Sequence, residues 1–282
     1  MRIIKDPQEM SAYSLKAKCR GKTIGLVPTM GYLHEGHLSL VEAARAKADI
    51  VVVSIFVNPL QFGPSEDLNH YPRDIKRDKK LLKDIEVDVL FLPAAAKMYA
   101  KDHKSYIEVQ GLSKKMCGIS RPAHFRGVTT VVAKLFNIVI PDYAFFGEKD
   151  YQQQVIIKKM VKDLSLPVQI ISLPTVREFD GLAMSSRNKY LTGQERKQAA
   201  ILYQALSLAK QEIEKGETNR HKLLLRLRSL IGTVPNIRLD YLVFADPETL
   251  EEKKTLKGKI LIALAAFMGK TRLIDNVVVN AK

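Results

Sequence analysis

Short apolar runs alternate with amphipathic segments along residues 7–173. The runs are rich in Val and Ile, which is typical of parallel strands covered on both faces. We predict five such strands, at 23–27, 50–57, 87–93, 143–147 and 168–173, and a short additional one at 106–109. Helical patterns lie at 7–19, 38–48, 75–84, 128–139 and 151–164. This order predicts an α/β fold: a Rossmann-like parallel sheet with helices on both faces and right-handed crossovers.

The pattern changes after residue 176. Thr192 and Glu195 have the spacing of a capping box, so we predict a long helix from there to about residue 215, ahead of Gly216. A second helix at 219–231 and three strand-like runs at 238–244, 259–267 and 272–279 follow. We therefore predict two domains, 1–176 and a smaller C-terminal α+β domain at 177–282, hinged at the loop 177–190.

The segment 28–37, Pro-Thr-Met-Gly-Tyr-Leu-His-Glu-Gly-His, joins the first of these strands to a helix. A helix N-terminus attracts phosphate through unpaired N–H groups, and Gly31 and Gly36 would let the backbone approach such a ligand. His34 and His37 are three residues apart, which puts both rings on one side of a helical turn. Metalloprotease helices need histidines four apart, so the spacing favours phosphate over zinc. The alternative is a pair of ordinary capping or surface histidines.

Polar side chains also follow later strands. Asn58 and Gln61 come after the second strand, and open α/β sheets bind ligands at the carboxyl ends of their strands. Alternatively, Asn58 and Pro59 merely end the strand and Gln61 is a surface amide. Arg121 belongs to a basic turn that could meet an acidic substrate or simply be solvated.

A second turn from strand to helix, at 147–150, carries Lys149. A lysine at such a turn is a common partner of phosphate, and a solvated charge is the alternative. Ser185 and Ser186 stand beside Arg187, and two hydroxyls next to a guanidinium suit phosphate oxygens. The alternative there is a serine-rich linker.

The net charge of +15 permits contact with nucleic acid but is equally suited to attracting ATP and small carboxylates. The lysines are spread along the chain and no RNP-like aromatic motif is present, so we expect no nucleic-acid partner. Cys19 and Cys117 match no metal or redox spacing. Neither a signal-peptide core nor an apolar run of roughly 18 residues is found. We therefore expect a cytoplasmic protein with no membrane association.

The H-x-G-H turn resembles the adenylate-binding element of the class I aminoacyl-tRNA synthetase and nucleotidylyltransferase superfamily. Five segments in order, at 28–31, 34–37, 58–62, 147–150 and 184–187, resemble the pantothenate synthetase family, and the likeness extends to 271–276. The resemblance implies an ATP-dependent ligase that condenses (R)-pantoate with β-alanine through a pantoyl adenylate, releasing AMP and pyrophosphate, in pantothenate and coenzyme A biosynthesis. It also implies Mg²⁺ with the ATP and a homodimer.

The same resemblance assigns roles to residues. His34, His37 and Lys149 would be catalytic on the phosphates, with His37 as the usual proton donor. Gln61 and Gln153 would bind pantoate and β-alanine, with Asn58 and Arg121 as additional contacts. Domain 1–176 would bind ATP and pantoate, and domain 177–282 would carry the second phosphate loop. The implied ATP-binding residues are Met30, Gly31, Tyr32, Leu33, His34, Glu35, Gly36, His37, Gly147, Glu148, Lys149, Asp150, Val176, Met184, Ser185, Ser186 and Arg187.

Some positions depart from the family pattern. Tyr32 stands where alanine is expected and Ala123 where glycine or threonine is usual, which affects loop shape rather than chemistry. The loop 184–187 lacks the lysines of the synthetase motif K-M-S-K-S, so Arg187 would supply that charge. The sequence identifies no Mg²⁺ ligands, and the candidates are Asp67, Asp74, Asp78 and Asp150. The alternative function is a nucleotidylyltransferase, which shares the histidine turn but requires neither the glutamine pair nor a second domain of this size.

Overall fold

The computed structural model of the protein describes residues 1–64 and 66–281. The chain forms two compact units. The first consists of Met1–Lys114, Arg121–Glu148 and Gln153–Pro174, and the second of Lys115–Ser120, Lys149–Gln152 and Thr175–Lys282. Two short segments that lie between parts of the first unit in the sequence thus belong to the second unit. Within the described residues, no helix has the length and apolar content needed to cross a membrane.

The first unit is built on a six-stranded sheet in which every strand pair is parallel. Its strands are β1 (Arg2–Ile4), β2 (Ile24–Thr29), β3 (Ile50–Ile55), β4 (Val89–Phe91), β5 (Tyr143–Gly147) and β6 (Gln169–Leu173), in the order β1-β4-β3-β2-β5-β6. The helices between them are α1 (Pro7–Lys18), α2 (Glu35–Lys47), α3 (Ile75–Asp84), α4 (Ala95–Met98), α6 (His124–Val139) and α7 (Tyr151–Asp163). The short α5 (Cys117–Ser120) lies in the second unit. The predicted Rossmann-like sheet is confirmed.

Helices cover both faces of this sheet, as the continuous apolar strands predict. Val51, Val52 and Val53 alternate between the faces, yet all three are fully buried. On one face, Leu40 of α2 and Leu82 of α3 belong to the same apolar cluster as strand residues. The opposite face carries α1 and α6, which pack on each other.

Two details of the prediction for this unit are wrong. The five expected strands are present, but a sixth, β1, pairs with β4 at the sheet edge and was missed. The strand expected at 106–109 does not form. There the backbone of Ile107 is bonded to side chains of α6 instead: its N–H donates to Thr130 Oγ1 at 3.1 Å, and its carbonyl accepts from the Thr129 hydroxyl. Side-chain hydroxyls have thus replaced a strand partner.

The order in which the chain adds strands to the sheet reverses between β2 and β5, although the two strands are parallel. From β2 the chain proceeds through β3 to β4 on one side, and from β5 to β6 on the other, while β2 and β5 are direct neighbours. The reversal makes a crevice at the carboxyl ends of the two strands, at Thr29 and Gly147. In open α/β sheets this topological switch point is where ligands bind.

The second unit contains an antiparallel sheet of β7 (Ile237–Ala245), β8 (Gly258–Met268) and β9 (Thr271–Ala281), with β8 in the centre. Its helices are α8 (Gly193–Gln198), α9 (Ile201–Glu214) and α10 (Arg220–Gly232). Leu206 of α9, Leu227 of α10 and Ile262 of β8 are fully buried in one apolar cluster. The predicted α+β character and the three strands are confirmed.

One helix of this unit differs from its prediction. The capping box is present, because Thr192 Oγ1 accepts from the Glu195 N–H at 3.2 Å and a Glu195 carboxylate oxygen accepts from the Thr192 N–H at 2.8 Å. The helix stops at Gln198, however, and α9 begins only at Ile201. Ala199 and Ala200, which lie between the two helices, keep right-handed helical angles (φ −62° and −58°, ψ −20° and −21°). The chain therefore passes from α8 to α9 through a short helical turn, with both alanines buried.

Candidate functional site

The segment that follows β2 makes a sharp turn at the switch point. Thr29 Oγ1 donates to the Ser54 carbonyl at 2.8 Å and accepts from the Gly31 N–H at 3.2 Å, which ties the end of β2 to β3. Gly31 (φ +84°) and Tyr32 (φ +52°) are both left-handed. The φ of +84° favours glycine at position 31, and a Cβ there would also be tightly placed, 3.0 Å from Ile55 Cγ2.

Asp78 of α3 holds this turn in place. Its Oδ2 accepts from the Tyr32 N–H and its Oδ1 from the Leu33 N–H, each at 2.8 Å. Burial raises the pKa of Asp78, and these two hydrogen bonds oppose that rise. Arg77 Nη1 adds a hydrogen bond to the Leu33 carbonyl at 2.7 Å. Both oxygens of Asp78, a candidate Mg²⁺ ligand by sequence, therefore accept backbone hydrogen bonds.

The two histidines stand at the start of α2. The helix begins at Glu35, three residues earlier than predicted, with His34 as the N-cap and His37 as the third residue. The His34 N–H donates to His37 Nδ1 at 3.3 Å, and the ring centroids are 4.1 Å apart. Since Nδ1 of His37 accepts, the proton of the neutral ring is on Nε2. This end of the helix therefore combines backbone donors, the positive end of the helix dipole and an imidazole donor.

Asn58 fixes the conformation of Gln61 after β3. Asn58 is buried, and its Nδ2 donates to the Gly127 carbonyl at 3.0 Å and to Gln61 Oε1 at 3.3 Å. Its Oδ1 accepts from the Tyr99 hydroxyl at 2.9 Å. Gln61 Nε2 in turn donates to Met30 Sδ at 3.0 Å, which brings the glutamine against the histidine-bearing segment. The side chain of Asn58 is thus committed to bonds inside the protein.

Gly127 of α6 lies in direct contact with the same segment. A Cβ at Gly127 would be 2.3 Å from the Leu60 carbonyl oxygen and 2.6 Å from the Gln61 backbone nitrogen. Real Cβ atoms do not approach other atoms so closely, so any other residue would displace Gln61 or α6. The position of Gln61 therefore depends on this glycine.

Arg121 and His124 hold the main chain of Gln61. Arg121 forms a two-pronged salt bridge with Glu66, at 2.6 and 2.5 Å, and Nη2 also donates to the Gln61 carbonyl at 3.2 Å. His124 contacts both Arg121 and Gln61. Its Nδ1 is 2.9 Å from the Gln61 carbonyl oxygen, and its Nε2 is 3.2 Å from Arg121 Nη1. Burial raises the pKa of Glu66, but the hydrogen bonds and charge of Arg121 outweigh it and hold that pKa below its ordinary value.

In the second unit, Lys149 stands in the short 3-10 turn Glu148–Asp150 that precedes α7. Its Nζ is 3.6 Å from Asp150 Oδ2, and its main-chain carbonyl accepts from Asn276 Nδ2 at 2.9 Å. Gln152 has a structural role, because its side-chain amide bonds the main chain of Lys115 and Cys117 at 2.7 and 3.0 Å. In the glutamine run, Gln152 and Gln154 are buried, whereas Gln153 is half-buried.

A hairpin at 176–184 precedes the serine-containing loop. Two hydrogen bonds join its two sides. The Met184 N–H donates to the Val176 carbonyl at 3.0 Å, and the Glu178 N–H donates to the Leu182 carbonyl at 2.8 Å. Arg196 clamps its tip with hydrogen bonds to both Glu178 and Asp180. The hydrogen bonds from Arg196 lower the pKa of Asp180 below its ordinary value of 3.8.

The loop at 184–187 leads from this hairpin into a 3-10 helix, Ser186–Tyr190. Ser185 caps that helix, with its Oγ accepting from the Arg187 N–H at 3.2 Å. Asn188 ties the loop back to the hairpin by donating to Glu178 Oε1 at 2.9 Å and to the Ala183 carbonyl at 3.2 Å. The paired hydroxyls and the guanidinium thus occupy a structured turn rather than an open linker.

Sequence reasoning missed three residues that organise these segments: Asp78, Asp275 and Asn276. Each bonds a segment far away in the chain, as Asn276 does with Lys149, so local patterns carry no signal for the pairing. Asp78 was predicted only as a candidate Mg²⁺ ligand, and its hydrogen bonds to the histidine turn were missed. A metal centre is also not evident, because the described part of the chain contains no group of three or more His, Cys, Asp or Glu side chains that could hold an ion.

Comparison with known proteins identifies the family of this chain. A sequence profile described as "Pantoate-beta-alanine ligase" matches residues 2–278. The pantothenate synthetase of Caldicellulosiruptor saccharolyticus is 55% identical over 280 residues, covering 99% of this chain and 100% of that protein.

Two solved structures are similar along nearly the whole chain. The pantothenate synthetase of Thermus thermophilus has a TM-score of 0.93 at 44% identity, covering 98% of this chain and 99% of that one. The pantoate-beta-alanine ligase of Francisella tularensis, complexed with beta-gamma ATP and beta-alanine, has a TM-score of 0.82 at 36% identity, covering 99% and 97%. The resemblance seen in the sequence motifs is therefore confirmed over the full fold, and the chain belongs to the pantoate–β-alanine ligase family.

Proposed function

We propose that this protein condenses (R)-pantoate with β-alanine in an ATP-dependent reaction that yields pantothenate, AMP and pyrophosphate. Family membership supports the reaction class, and the Francisella relative was solved with beta-gamma ATP and beta-alanine. The observation that carries the proposal is the position of the histidine turn. It joins β2 to the start of α2, directly beside the strand order reversal between β2 and β5. A helix N-terminus at a switch point is suited to nucleotide phosphates.

The reaction has two displacement steps. A carboxylate oxygen of pantoate attacks the α-phosphorus of ATP, and pyrophosphate leaves with the bonding electron pair, giving the pantoyl adenylate. The amine nitrogen of β-alanine then attacks the activated carbonyl carbon, loses a proton, and displaces AMP. Carboxylate and amine do not condense directly in neutral water because the carboxylate oxygen is a poor leaving group, whereas AMP is a good one.

The histidines would stabilise the charge that builds on phosphate in the first step. The Nε2–H of His37 and the N–H groups at the start of α2 are donors fixed before reaction, which is the arrangement that lowers the barrier most effectively. His34 shares the same helix start, with its ring 4.1 Å from that of His37. We assign both residues as catalytic, with His37 as proton donor.

We assign Lys149 to the phosphates as a third catalytic residue and the Val176 backbone to the adenine side. Ser185, Ser186 and Arg187 form the second phosphate loop, with Arg187 supplying the charge that lysines supply in the synthetase motif. The full set proposed to contact ATP is Met30, Gly31, Tyr32, Leu33, His34, Glu35, Gly36, His37, Gly147, Glu148, Lys149, Asp150, Val176, Met184, Ser185, Ser186 and Arg187.

Gln61 and Gln153 are proposed to bind pantoate, and Gln61 also β-alanine. The hydrogen bonds of Gln61 to Asn58 and Met30 favour this role, because its amide is oriented before substrate arrives. Asn58 and Arg121 support the site indirectly through their bonds to Gln61, in addition to any contact with substrate.

Mg²⁺ is proposed to accompany ATP, with phosphate oxygens and water providing most of its coordination. Asp67, Asp74 and Asp150 remain candidate ligands, while the Asp78 oxygens already accept two backbone hydrogen bonds. We further propose a homodimer in the cytoplasm, in keeping with the family resemblance. Sedimentation or size-exclusion measurements on the purified chain test the dimer directly.

The proposed function is tested by isotope exchange. The protein is incubated with ATP, Mg²⁺ and labelled pyrophosphate, with and without pantoate. Label should enter ATP only when pantoate is present, because the first step is reversible and needs the acid. Exchange that is absent with pantoate, or that instead requires a phosphorylated acceptor, would overturn the proposal in favour of a nucleotidylyltransferase.

A further inference from the structure

Two neighbouring residues of β9, Asp275 and Asn276, contact separate segments of the second unit. Asn276 Nδ2 donates to the main-chain carbonyl of Lys149 at 2.9 Å. Asp275 forms a two-pronged salt bridge with Arg177, at 2.6 Å from Nη1 to Oδ2 and 3.0 Å from Nη2 to Oδ1. Asn276 thus bonds the turn that contains Lys149, and the preceding residue, Asp275, bonds the hairpin at 176–184.

Arg177 connects Asp275 to the far end of the hairpin. Its Nη1 also donates to the Gly181 carbonyl at 3.0 Å, and its guanidinium lies 4.0 Å from the centroid of the Tyr203 ring. Gly181 has φ +90°, and a Cβ there would be 2.1 Å from Tyr203 Cδ1. The hairpin is therefore held by Tyr203, which contacts both Gly181 and Arg177, and by the Arg177–Asp275 salt bridge.

The Asp275 side chain is almost completely removed from solvent, at 1% exposure, and that of Arg177 is 18% exposed. Burial raises the pKa of Asp275, while Arg177 and, less strongly, the charge of Lys149 act in the opposite direction. A buried carboxylate is costly unless it is paired, so the pair constrains both partners to one geometry. Lys149 is close enough for its charge to be part of this balance.

We propose that Asp275 and Asn276 are positioning residues for ATP, which fix Lys149 and the Val176–Met184 hairpin relative to one strand of the second unit. The inference rests on the proposed function, because Lys149, Val176 and Met184 are the residues assigned there to the nucleotide. Neither Asp275 nor Asn276 is assigned a contact with substrate. Their effect is exerted through the main chain of Lys149 and through Arg177.

This role predicts a specific kinetic effect. In Asn276→Ala the Lys149 carbonyl loses its partner, and in Asp275→Asn the charged pair with Arg177 is lost. Misplacing a phosphate-binding group by about 1 Å can lower catalytic efficiency by up to about 100-fold. The KM for ATP should therefore rise about 10-fold to 100-fold in each variant. The KM values for pantoate and β-alanine should stay within about twofold of wild type. A variant that is merely less stable would lower kcat through its folded fraction and leave every KM unchanged.

Glu212→Gln provides the matched control. Glu212 pairs with Arg226 between α9 and α10 of the same unit, and its side chain is 22% exposed. This variant also removes one carboxylate from a salt bridge, but it touches neither the Lys149 turn nor the hairpin. Its KM for ATP should equal that of the wild type.

The outcomes separate the two hypotheses. If the wild type shows no pantoate-dependent pyrophosphate exchange, the proposed function fails, whatever the variants do. If the wild type exchanges label but Asn276→Ala and Asp275→Asn keep the ATP KM of Glu212→Gln, the positioning role is overturned. Should Asp275→Asn fail to fold, Arg177→Lys replaces it, because it keeps a positive charge and removes only the two-pronged geometry. That variant should show a smaller rise in the KM for ATP.

Discussion

The Asp78 carboxylate accepts a hydrogen bond from the Leu33 N–H at 2.8 Å, so a side chain of α3 fixes the backbone that leads into α2. The second oxygen of the same carboxylate holds Tyr32, whose φ of +52° is unfavourable for a residue with a Cβ. The conformation of the histidine turn is therefore maintained from outside the turn. The consequence is that a residue with no proposed contact to ATP controls where His34 and His37 stand.

Replacing Asp78 should accordingly impair both stability and nucleotide binding. Asp78→Asn leaves one acceptor for two buried N–H groups, and an unsatisfied buried donor costs about 1–3 kcal/mol. We expect a lower free energy of unfolding in urea and a higher KM for ATP. Asp84→Asn, at an exposed position of the same helix, is the control and should change neither. Wild-type values for Asp78→Asn would contradict the anchoring role.

The two nitrogens of His37 should have separable functions. In His37→Asn the amide can take the place of Nδ1, so the bond from the His34 N–H and the helix start are retained while the Nε2 donor is lost. In His37→Gln the longer amide reaches the Nε2 position. Removing a donor to developing charge lowers kcat by about 100-fold to 1,000-fold. We therefore expect His37→Asn to fold normally and to show a decrease in kcat of that size. His37→Gln should show a smaller decrease. Pyrophosphate exchange and circular dichroism provide the two measurements, and equal losses in both variants would refute the assignment to Nε2.

Gly127 offers a test of how tightly Gln61 is placed. The new Cβ in Gly127→Ala would meet the Leu60 carbonyl oxygen at 2.3 Å, so Gln61 or α6 must move. Overpacking of this kind costs about 1–3 kcal/mol, and the displaced Gln61 should raise the KM for pantoate. Gly232→Ala is the matched control, because nothing lies within 4 Å of its Cβ position. In a helix that substitution should be neutral or slightly stabilising.

The Arg196 clamp on the hairpin predicts a dependence of stability on pH. The pKa of Asp180 is lowered from 3.8 by hydrogen bonds from Arg196, so the folded protein binds this proton more weakly than the unfolded chain. The stabilisation is therefore complete above the ordinary pKa and is lost as the pH falls through the lowered one. Asp180→Asn should reduce Tm near neutral pH, and the difference from wild type should shrink as the pH falls below 3.8 and through the lowered pKa. A difference that stays constant over this range would contradict the linkage.

The sequence predicts regular elements well where several residues share one pattern. The buried strand at Ile50–Ile55 and the helix Ile75–Asp84 are long enough for their periodicity to be evident. Arg2–Ile4 has three residues, which is too short to show a periodicity, and only Ile4 among them is buried. The short turn at Ala199 that separates α8 from α9 is not evident from propensity, because alanine favours a continuous helix.

The sequence predicts a chemistry for the candidate site, but not the contacts that hold its segments in place. The histidine spacing and the lysine after β5 are local features, so the sequence displays them directly. The pairs of Asp78 with Leu33 and of Asp275 with Arg177 join residues far apart in the chain, and composition gives no signal for such contacts. Asn58 illustrates the difference, because its position at a strand end suggested a ligand contact, whereas its amide is bonded to Gly127 and Gln61.

The pairing of β1 with β4 bears on how the chain assembles during synthesis. Arg2 is opposite Val89 in the sheet, although the two residues are far apart along the chain. At about 5–20 residues per second, several seconds pass before its partner strand emerges. β2 and β3, which are separated by one helix, can pair well before that. In this half of the sheet β1 therefore emerges before its neighbours but can pair only after β4, its one partner strand, has emerged.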